Sequence, residues 1–542
     1  MIEILKLSIE NIRNKKDWQD AGINLPEFDY DQVAKNTKEN PTWVHFGAGN
    51  IFRGFTALAQ QKLINEGKAD TGIIAAETFD FEIIDKVYVP NDNMSLLVTM
   101  KPDGSLEKEV VASITEGLVA DQSRKEDWQR LEQIFANPSL QIASFTITEK
   151  GYSLKNMSGD YFDFVLEDME SGPEKKLNHA ISKVTALAYI RYKNGQLPVA
   201  FASMDNCSHN GEILHSSVET IAKKWVANGL VEEEFLTYLN DEDKVTFPWS
   251  MIDKITPRPS DTVKTELEKI GFEDTEIVQT SKNTHIAPFV NAEAPEYLVV
   301  EDKFPNDRVP LEEAGVYFTD RETVDKVEKM KVCTCLNPLH TALAVYGCLL
   351  GYTLVADQMK DETLKTMVEK IGYEEGLPVV VDPGILDPKD FIREVVEERL
   401  PNPYIPDSPQ RIATDTSQKV AIRFGETIKA YEAREDLEPK DLTAVPLAIA
   451  GWCRYLLGID DQGDKMELSP DPMLEELSDY LENVEFANPD SVGDSLKPIL
   501  SSESLMGSNL YEIGLGEKIE SYFKEMIVGK DAVRNTLVKY LG

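Results

Sequence analysis

The sequence predicts an α/β protein whose N-terminal part forms a parallel, doubly wound sheet and whose C-terminal part is mostly helical. In the first half, short apolar runs alternate with amphipathic helical patterns, which is the arrangement that produces a parallel sheet covered by helices. From about Glu322 onward, apolar residues recur mainly at helical spacing. We therefore expect a domain boundary near 290–320, and we assign the two domains to residues 1–300 and 301–542.

The individual elements follow from these patterns. The predicted strands of the first half are short and apolar, at 42–46, 71–77, 140–148, 197–204 and 295–302. A glycine turn after the first strand leads into a helical pattern. The predicted helices of the second half cover 341–356, 364–371, 388–400, 442–457 and 473–485. Ligands of doubly wound sheets bind at the carboxyl ends of the strands, so we expect a site between the two domains.

The composition excludes several classes of function. The chain has 542 residues, of which 42% are apolar and 28% are charged, a balance typical of globular proteins. Its net charge of −39 would repel nucleic-acid phosphates and anionic lipids, so we expect neither nucleic acid nor a membrane as a partner. The longest uncharged, apolar-rich stretch, 341–356, is too short to span a bilayer and favours a buried helix.

The N-terminal segment and the cysteines favour a cytoplasmic protein. The first 18 residues, MIEILKLSIENIRNKKDW, carry charges throughout and lack the apolar core of a signal peptide. The 5 cysteines are sparse and odd in number, which is typical of reduced thiols. Cys333, Cys335 and His340 do not have zinc-site spacing, and we expect no metal.

A glycine turn directly follows the first predicted strand. Gly47 and Gly49 would let the backbone approach a pyrophosphate at the N-terminus of the next helix. Phe52 stands where a third glycine is expected, so a tight turn without a ligand remains an alternative. Glu77 ends the next strand, where an acid would bind ribose hydroxyls and repel a 2′-phosphate. These residues predict a Rossmann-like NAD site, with a solvated strand end as the alternative for Glu77.

The segment EKMKVCTCLNPLHTALAVYGCLL (328–350) contains groups suited to hydride transfer. Such a reaction on an alcohol needs a base, donors for the developing alkoxide and groups that hold the substrate. Lys331 can be the base, Asn337 can donate to the oxyanion and His340 can bind a neighbouring hydroxyl. Asn337 before Pro338 is also typical of a helix N-cap, with the Asn oxygen accepting from the N–H of His340. A capped core helix without catalytic function is the alternative.

Several motifs occur in the order of one known family. They are VHFGAGNIFRGF (44–55), TITEKGY (146–152), SMDNCSHNG (203–211), FPWSMIDKITP (247–257), EYLVVEDKFPNDRVPLEEAGVYFTD (296–320), NPYIPDSPQRIATDTSQK (402–419) and LAIAGWCRYLLG (447–458). Between about 42 and 460 the chain resembles the polyol-specific long-chain dehydrogenases. That family includes mannitol 2-dehydrogenase, fructuronate reductase (mannonate oxidoreductase) and tagaturonate reductase.

The resemblance implies roles for the catalytic residues. Lys331 would be the general acid/base, and Asn206 and Asn337 would form the oxyanion hole. His340 and Asp253 would bind substrate hydroxyls and hold the geometry. Two alternatives remain open: Asn206 could cap a loop together with its neighbour Asp205, and Asp253 could form a salt bridge with its neighbour Lys254.

The resemblance also implies residues that bind the substrate and the cofactor. Arg411 and Lys419 would approach the far end of the substrate, and Arg258 is a further cation after the Asp253 motif. Arg411 and Lys419 could instead pair with nearby Asp407 and Asp415. The cofactor site would be lined by Gly47, Gly49, Asn50, Glu77 and Glu149, although a solvated position for Glu149 is equally compatible with the sequence.

One departure from the family concerns the spacing around Lys331. The family usually has four residues between this lysine and the asparagine, whereas five separate Lys331 from Asn337. On an unbroken α-helix, Lys331 and His340 would lie about two and a half turns apart and face opposite sides. We therefore expect a bulge or break before Asn337. The alternative is that Lys329 is the working lysine.

These observations together predict an NAD-dependent enzyme. The expected reaction transfers hydride between NAD(H) and an open-chain sugar acid, with fructuronate and mannonate, or tagaturonate and altronate, as the pair. A neutral polyol such as mannitol is the alternative substrate. A catalytically inactive NAD-binding protein is a further alternative, although Lys331, Asn337, His340 and Asn206 are all present.

Overall fold

The computed structural model describes residues 4–156 and 158–542. The chain divides into two compact units, which are described separately. Unit 1 comprises the chain up to Lys101 and Ser105–Asp325, and unit 2 comprises Pro102–Gly104 and Lys326–Gly542. Unit 1 contains a parallel sheet with helices and unit 2 is helical, which confirms the predicted fold class.

The strands of the described residues all lie in unit 1. They are β1 Ile23–Asn24, β2 Trp43–Phe46, β3 Ile73–Glu77, β4 Ser95–Met100, β5 Leu106–Val111, β6 Ile114–Val119, β7 Ile142–Phe145, β8 Val199–Ser203, β9 Val245–Thr246, β10 Ser250–Asp253, β11 Val278–Gln279, β12 His285–Ile286, β13 Phe289–Glu293, β14 Tyr297–Glu301 and β15 Tyr317–Thr319.

The main sheet has the strand order of a Rossmann fold. In the described residues its order is β6-β3-β2-β7-β8-β9, and every pairing is parallel. From the central strand β2, the chain places β3 and β6 on one side of the sheet. It then places β7, β8 and β9 on the other side. This reversal creates a crevice at the carboxyl ends of β2 and β7, the usual ligand position in such sheets.

The sequence of β2 explains its central position. Its residues WVHF are all buried, as expected for a strand covered on both faces. Because side chains alternate along a strand, Val44 and Phe46 join the apolar core on one face, while Trp43 joins the core on the other. The ends of β2 are thereby held between two layers of helices.

Two smaller sheets of unit 1 were not predicted as such. In one, β4 pairs antiparallel with β5 and parallel with β13, and β1 lies beside β5. In the other, β10 and β15 flank β14, which is the strand predicted at 295–302. These pairings keep 297–319 within unit 1, which extends to Asp325.

The helices of unit 1 cover the sheets or connect their strands. They are α1 Ile9–Ile12, α2 Lys15–Asp20, α3 Tyr30–Glu39, α4 Ala57–Asn65, α5 Lys125–Ala136, α6 Thr148–Tyr152, α7 Asp163–Ser171, α8 Ala180–Lys193, α9 Asn210–Ala227, α10 Glu233–Leu239 and α11 Asp261–Lys269. A π-helical segment, Phe52–Thr56, precedes α4 without interruption, so the helix after the glycine turn begins at Asn50.

The helices of unit 2 surround a core that includes α13 and α19. After α12 Arg321–Lys329, which spans the division, they are α13 Asn337–Leu349, α14 Val355–Gln358, α15 Glu362–Glu369, α16 Pro388–Glu394, α17 Pro409–Ile412, α18 Glu426–Glu432, α19 Ala444–Tyr455, α20 Leu474–Tyr480, α21 Lys497–Leu500, α22 Glu503–Met506, α23 Gly516–Met526 and α24 Ala532–Leu541. The hydroxyl of Tyr346 in α13 donates to the carbonyl of Leu447 in α19 at 2.6 Å.

Among the described residues, the helical stretch Arg321–Leu349 is long and apolar enough by composition to cross a membrane. However, 72% of its most apolar window is buried inside the protein. Such burial is typical of a core helix, because a membrane-spanning helix would present apolar side chains to lipid.

Candidate active site

The glycine turn lies at the carboxyl end of β2, beside the segment that follows β7. Gly47 has φ of +103°, and a Cβ at this position would lie 2.2 Å from the carbonyl oxygen of Thr146. Only glycine can adopt this conformation so close to a neighbouring backbone. A Cβ built on Gly49 would meet no atom within 4 Å, so the backbone there is open to a ligand. Both features, at the N-terminus of the following helix, fit a bound pyrophosphate.

The first turn of this helix contains a buried cation that the sequence reasoning missed. Arg53 is fully buried, and its guanidinium donates to Asn50 Oδ1 at 2.8 Å and to the carbonyl of Ala287 at 2.8 Å. Burial lowers the pKa of Arg53 to about 10. This pKa keeps the guanidinium charged at neutral pH, so Arg53 holds the Asn50 side chain and adds positive charge close to the turn.

A chain of hydrogen bonds connects the interior of the sheet to the glycine turn. Trp43 Nε1 donates to Ser144 Oγ at 2.7 Å, and the two ring nitrogens of His45 lie 2.7 Å from Ser144 Oγ and 2.8 Å from Thr146 Oγ1. The Thr146 hydroxyl lies 3.5 Å from the carbonyl of Gly47. Burial lowers the pKa of His45 to about 3, so its ring is neutral near pH 7. The chain therefore joins the ends of β2 and β7.

The Glu77 carboxylate binds the backbone of the glycine turn and of the segment after β3. Its side chain is buried, with one carboxylate oxygen accepting from the N–H of Ala48 at 2.8 Å. The other oxygen accepts from the N–H groups of Phe79 at 2.9 Å and Asp80 at 3.2 Å. Burial raises the pKa of Glu77, although these three donors oppose that shift. Both oxygens, expected to meet the ribose, thus bind backbone, because the strand end turns sharply around the carboxylate.

Asn206 lies in the loop that follows β8, Glu149 lies in the first turn of α6 after β7, and both side chains are exposed. Their positions are set by Asp205, whose carboxylate accepts from Tyr152 Oη at 2.6 Å and from the N–H groups of Ile147 at 2.8 Å and Thr148 at 3.0 Å. Asp205 therefore caps the neighbouring loop and leaves Asn206 at the surface of the crevice. The position of Asp205 directly before Asn206 is the sequence feature that indicates this loop cap.

Asp253 is the last residue of β10, opposite Tyr297 of β14, and is 5% exposed. The alternative pairing with Lys254 is not formed. The Lys254 ammonium instead donates to the Glu293 carbonyl at 2.7 Å and to the Glu296 carboxylate at 2.9 Å. Arg258 follows in an exposed loop, where its backbone carbonyl accepts from Asn291.

In unit 2, Lys331 lies in a π-helical segment, Met330–Cys335, between α12 and α13. The N–H of Leu336 bonds to the carbonyl of Lys331 at 3.1 Å, five residues back rather than four. This wider turn absorbs the extra residue and confirms the predicted bulge before Asn337. Lys331 itself is only 4% exposed.

The predicted N-cap at Asn337 is wrong. Asn337 is already the first residue of α13, Leu336 occupies the cap position, and no side chain caps the helix there. The N–H of His340, expected to bond to the Asn337 side chain, bonds to the carbonyl of Leu336 at 3.1 Å. Leu336, with φ of −129° and ψ of −61°, separates the π-helical segment from α13, and its backbone carbonyl is the acceptor at the start of the helix.

His340 is oriented by a carboxylate from the 401–409 turn. His340 Nε2 lies 3.2 Å from Asp407 Oδ2, and Arg411 pairs with the other oxygen of Asp407. Burial opposes ionisation of Asp407, but the hydrogen bond to His340 and the charges of His340 and Arg411 lower its pKa below the ordinary value. In the neutral tautomer that carries its proton on Nε2, facing Asp407, His340 can accept a hydrogen bond at Nδ1. Arg411 takes the alternative pairing with Asp407.

Lys419 lies beside a second cation that the sequence reasoning missed. Its ammonium donates to the carbonyl of Thr414, so the alternative ion pair with Asp415 is not formed. Burial and the neighbouring charge of Arg423 lower the pKa of Lys419. Arg423 donates to Thr341 Oγ1 at 2.5 Å, and the Thr341 hydroxyl donates to the carbonyl of Asn337. Arg423 follows Lys419 by four residues, which is about one helical turn. This spacing indicates that the two side chains lie on the same face.

The five cysteines are free thiols. Within 4–156 and 158–542, no three or more His, Cys, Asp or Glu side chains are grouped so that they could hold a metal ion. The Sγ of Cys335 contacts the carbonyl of Pro388, and burial raises the pKa of this thiol well above its usual range. Such a thiol is a small core side chain rather than a nucleophile.

Comparison with known proteins identifies relatives of both units. Residues 41–313 match the Mannitol dehydrogenase Rossmann domain, and residues 323–511 match the Mannitol dehydrogenase C-terminal domain. D-mannonate oxidoreductase of Thermotoga maritima is 58% identical over 540 residues, which cover 99% of each chain. Mannitol 2-dehydrogenase of Aspergillus fumigatus is 28% identical, again over 99% of each chain.

Two solved structures share the fold. D-sorbitol dehydrogenase in a substrate-free form has a TM-score of 0.77 at 24% identity, covering 95% of this chain and 98% of the other. Pseudomonas fluorescens mannitol 2-dehydrogenase, in a ternary complex with NAD and D-mannitol, has a TM-score of 0.66 at 24% identity, with 96% of each chain covered.

Proposed function

Because this chain belongs to the mannitol dehydrogenase family, we propose that it is an NAD-dependent oxidoreductase of an open-chain sugar acid. The reaction interconverts a ketone and a secondary alcohol, as in fructuronate and mannonate, or tagaturonate and altronate. The observation that carries this proposal is the 58% identity to a D-mannonate oxidoreductase over nearly the whole of both chains. The five sparse, free cysteines favour action in the cytoplasm.

In this proposal residues 1–300 bind the dinucleotide. The N–H groups of Gly49 and Asn50 hold the pyrophosphate. Gly47 provides the turn conformation, with its own N–H bonded to the carbonyl of Ala76, and Glu77 keeps the turn in shape through Ala48. Glu149 lies in the first turn of α6, which follows β7, and lines this site. When bound, NAD(H) supplies or accepts the hydride.

The residues around α13 carry the acid–base chemistry. In the reductive direction, the amide groups of Asn206 and Asn337 donate to the ketone oxygen, and the protonated ammonium of Lys331 gives its proton to that oxygen. In the oxidative direction, neutral Lys331 takes the proton back. His340, oriented by Asp407, accepts from a neighbouring hydroxyl, and Asp253 binds another. Acid–base catalysis by a positioned group contributes typically ~10²–10⁴-fold to rate.

Lys419 and Arg423 support a sugar acid over a neutral polyol. Their side chains donate to neutral oxygens, those of Thr414 and Thr341, and a substrate carboxylate would be a charged partner for both. The charges of Asp415 and Asp471 also act on Lys419. Arg258 is a further exposed cation for this function. The pairing of Arg411 with Asp407 is the observation that favours the second candidate, a polyol dehydrogenase of the mannitol 2-dehydrogenase type.

The test follows NADH by its absorbance with purified protein and a panel of four alcohols: mannonate, altronate, mannitol and arabinitol. We expect NAD⁺ reduction with a sugar acid at much higher kcat/KM than with either polyol. Preference for mannitol or arabinitol would establish the polyol candidate, and no reaction with any of the four would contradict the proposal.

A further inference from the structure

An exposed aromatic ring lies next to the glycine turn of unit 1. Phe79 follows the end of β3 by two residues and is 65% exposed. The Glu77 carboxylate connects it to the turn, since one oxygen binds the N–H of Ala48 and the other the N–H of Phe79. The backbone of Phe79 is therefore placed at a set distance from the turn, although its ring has little protein around it.

The ring of Phe79 is supported on one face by the hairpin of β11 and β12. The Lys282 ammonium lies over the ring, 4.8 Å from its centroid, at a distance typical of a cation–π contact. Two hydrogen bonds tie the hairpin to the segment after Phe79. Thr280 Oγ1 donates to Asp80 Oδ2 at 2.6 Å, and the N–H of Ser281 donates to Glu82 Oε1 at 3.1 Å.

We propose that Phe79 is the platform on which the adenine ring of the dinucleotide stacks, with Lys282 on the opposite face of the phenyl ring. The inference rests on the proposed function and names the residues that recognise the adenosine half. Three observations support it: the ring is exposed, it follows the strand next to β2, and the carboxylate that holds the turn also holds its backbone. A flat π-face suits any nucleobase.

Lys282 adds charge to this recognition. Among residues 4–156 and 158–542, no carboxylate forms an ion pair with it, so its charge is not neutralised locally. The adenosine half of the dinucleotide carries phosphate, and a lysine beside it in a chain of net charge −39 gives a local attraction.

The test separates the two halves of the cofactor by calorimetry, using ADP-ribose for the adenine half and reduced nicotinamide mononucleotide for the other. Phe79→Ala should raise the Kd for ADP-ribose about tenfold, the size expected of one base–aromatic stack. The Kd for the mononucleotide should be unchanged, and Phe79→Trp should retain tight binding. Lys282→Met should weaken ADP-ribose less, and this loss should shrink at high salt.

Phe164→Ala is the matched control, because Phe164 is another exposed phenylalanine of unit 1, at 41% exposure. It should leave both affinities unchanged. Unaltered ADP-ribose binding by Phe79→Ala, or equal weakening by both alanine variants, would overturn the platform. Wild-type protein that binds neither ADP-ribose nor NADH would instead overturn the proposed function.

Discussion

The carboxylate of Glu77 accepts a 2.8 Å hydrogen bond from the backbone N–H of Ala48, between the two glycines of the turn. This acid thereby acts on the cofactor site through the backbone, since its other oxygen holds Phe79 and Asp80. A buried carboxylate with three N–H donors stabilises the turn conformation, and removing it would leave those donors unsatisfied.

Replacing Glu77 tests whether its carboxylate stabilises the glycine turn or selects NADH over NADPH. Glu77→Gln should weaken NADH binding about tenfold and lower the free energy of unfolding by about 1–3 kcal/mol, because an amide nitrogen would face a backbone donor. NADPH should not gain affinity, since the carboxylate is committed to the turn. Fluorescence titration with NADH and with NADPH measures the two dissociation constants. A variant that binds NADPH better than wild type would show that Glu77 selects at the ribose instead.

Replacing Lys331 tests the general acid/base. Lys331→Ala should lower kcat by ~10²–10⁴-fold while NADH binding and the circular dichroism spectrum stay those of wild type. Lys329→Ala is the control, since Lys329 is exposed, two residues away, and the alternative working lysine. It should retain near-normal kcat. The reverse result would assign the proton transfer to Lys329.

Replacing Lys419 tests recognition of a carboxylate. Lys419→Met should raise KM for a sugar acid by ~10–100-fold with little change for mannitol, because one charge-assisted hydrogen bond is worth about 1.5–3 kcal/mol. Arg411→Met is the matched control, since Asp407 already neutralises that guanidinium. Equal losses with both classes of substrate would argue against the carboxylate contact.

The buried ring of His45 predicts a pH dependence of stability. Its folded pKa, about 3, lies below the ordinary value of 6.5, so the unfolded chain takes up a proton that the folded protein does not. The free energy of unfolding therefore has its full value above pH 6.5, as far as His45 is concerned. It falls by about 1.4 kcal/mol per pH unit as the pH decreases from 6.5 towards 3.

Urea unfolding at pH 7, 5 and 4 measures this dependence. His45→Gln lacks the titrating ring, so its free energy of unfolding should fall less steeply with acid than that of wild type. Parallel curves for the two proteins would show that His45 keeps the same pKa in the folded and unfolded chains.

Much of the site was accessible from the sequence because its signals are local. The apolar run before Gly47 and Gly49 predicted a strand, a turn and a helix, and the spacing from Lys331 to Asn337 predicted a break in the helix. The prediction of an N-cap at Asn337 is wrong because the sequence does not fix the residue at which the helix begins. α13 begins directly after Leu336, whose conformation interrupts the π-helical segment, so the Leu336 carbonyl rather than the Asn337 side chain accepts from the N–H of His340.

The sequence by itself determined the fold class, the glycine turn and the family, and it predicts the residues of the hydride-transfer chemistry, because these depend on periodicity and on motifs close together in the chain. Only the tertiary structure decided the partners of those residues. Glu77 with Ala48, His340 with Asp407 and Arg423 with Thr341 are separated by tens of residues. Such pairings form when packing buries one polar group beside another, and no local pattern specifies which two will meet.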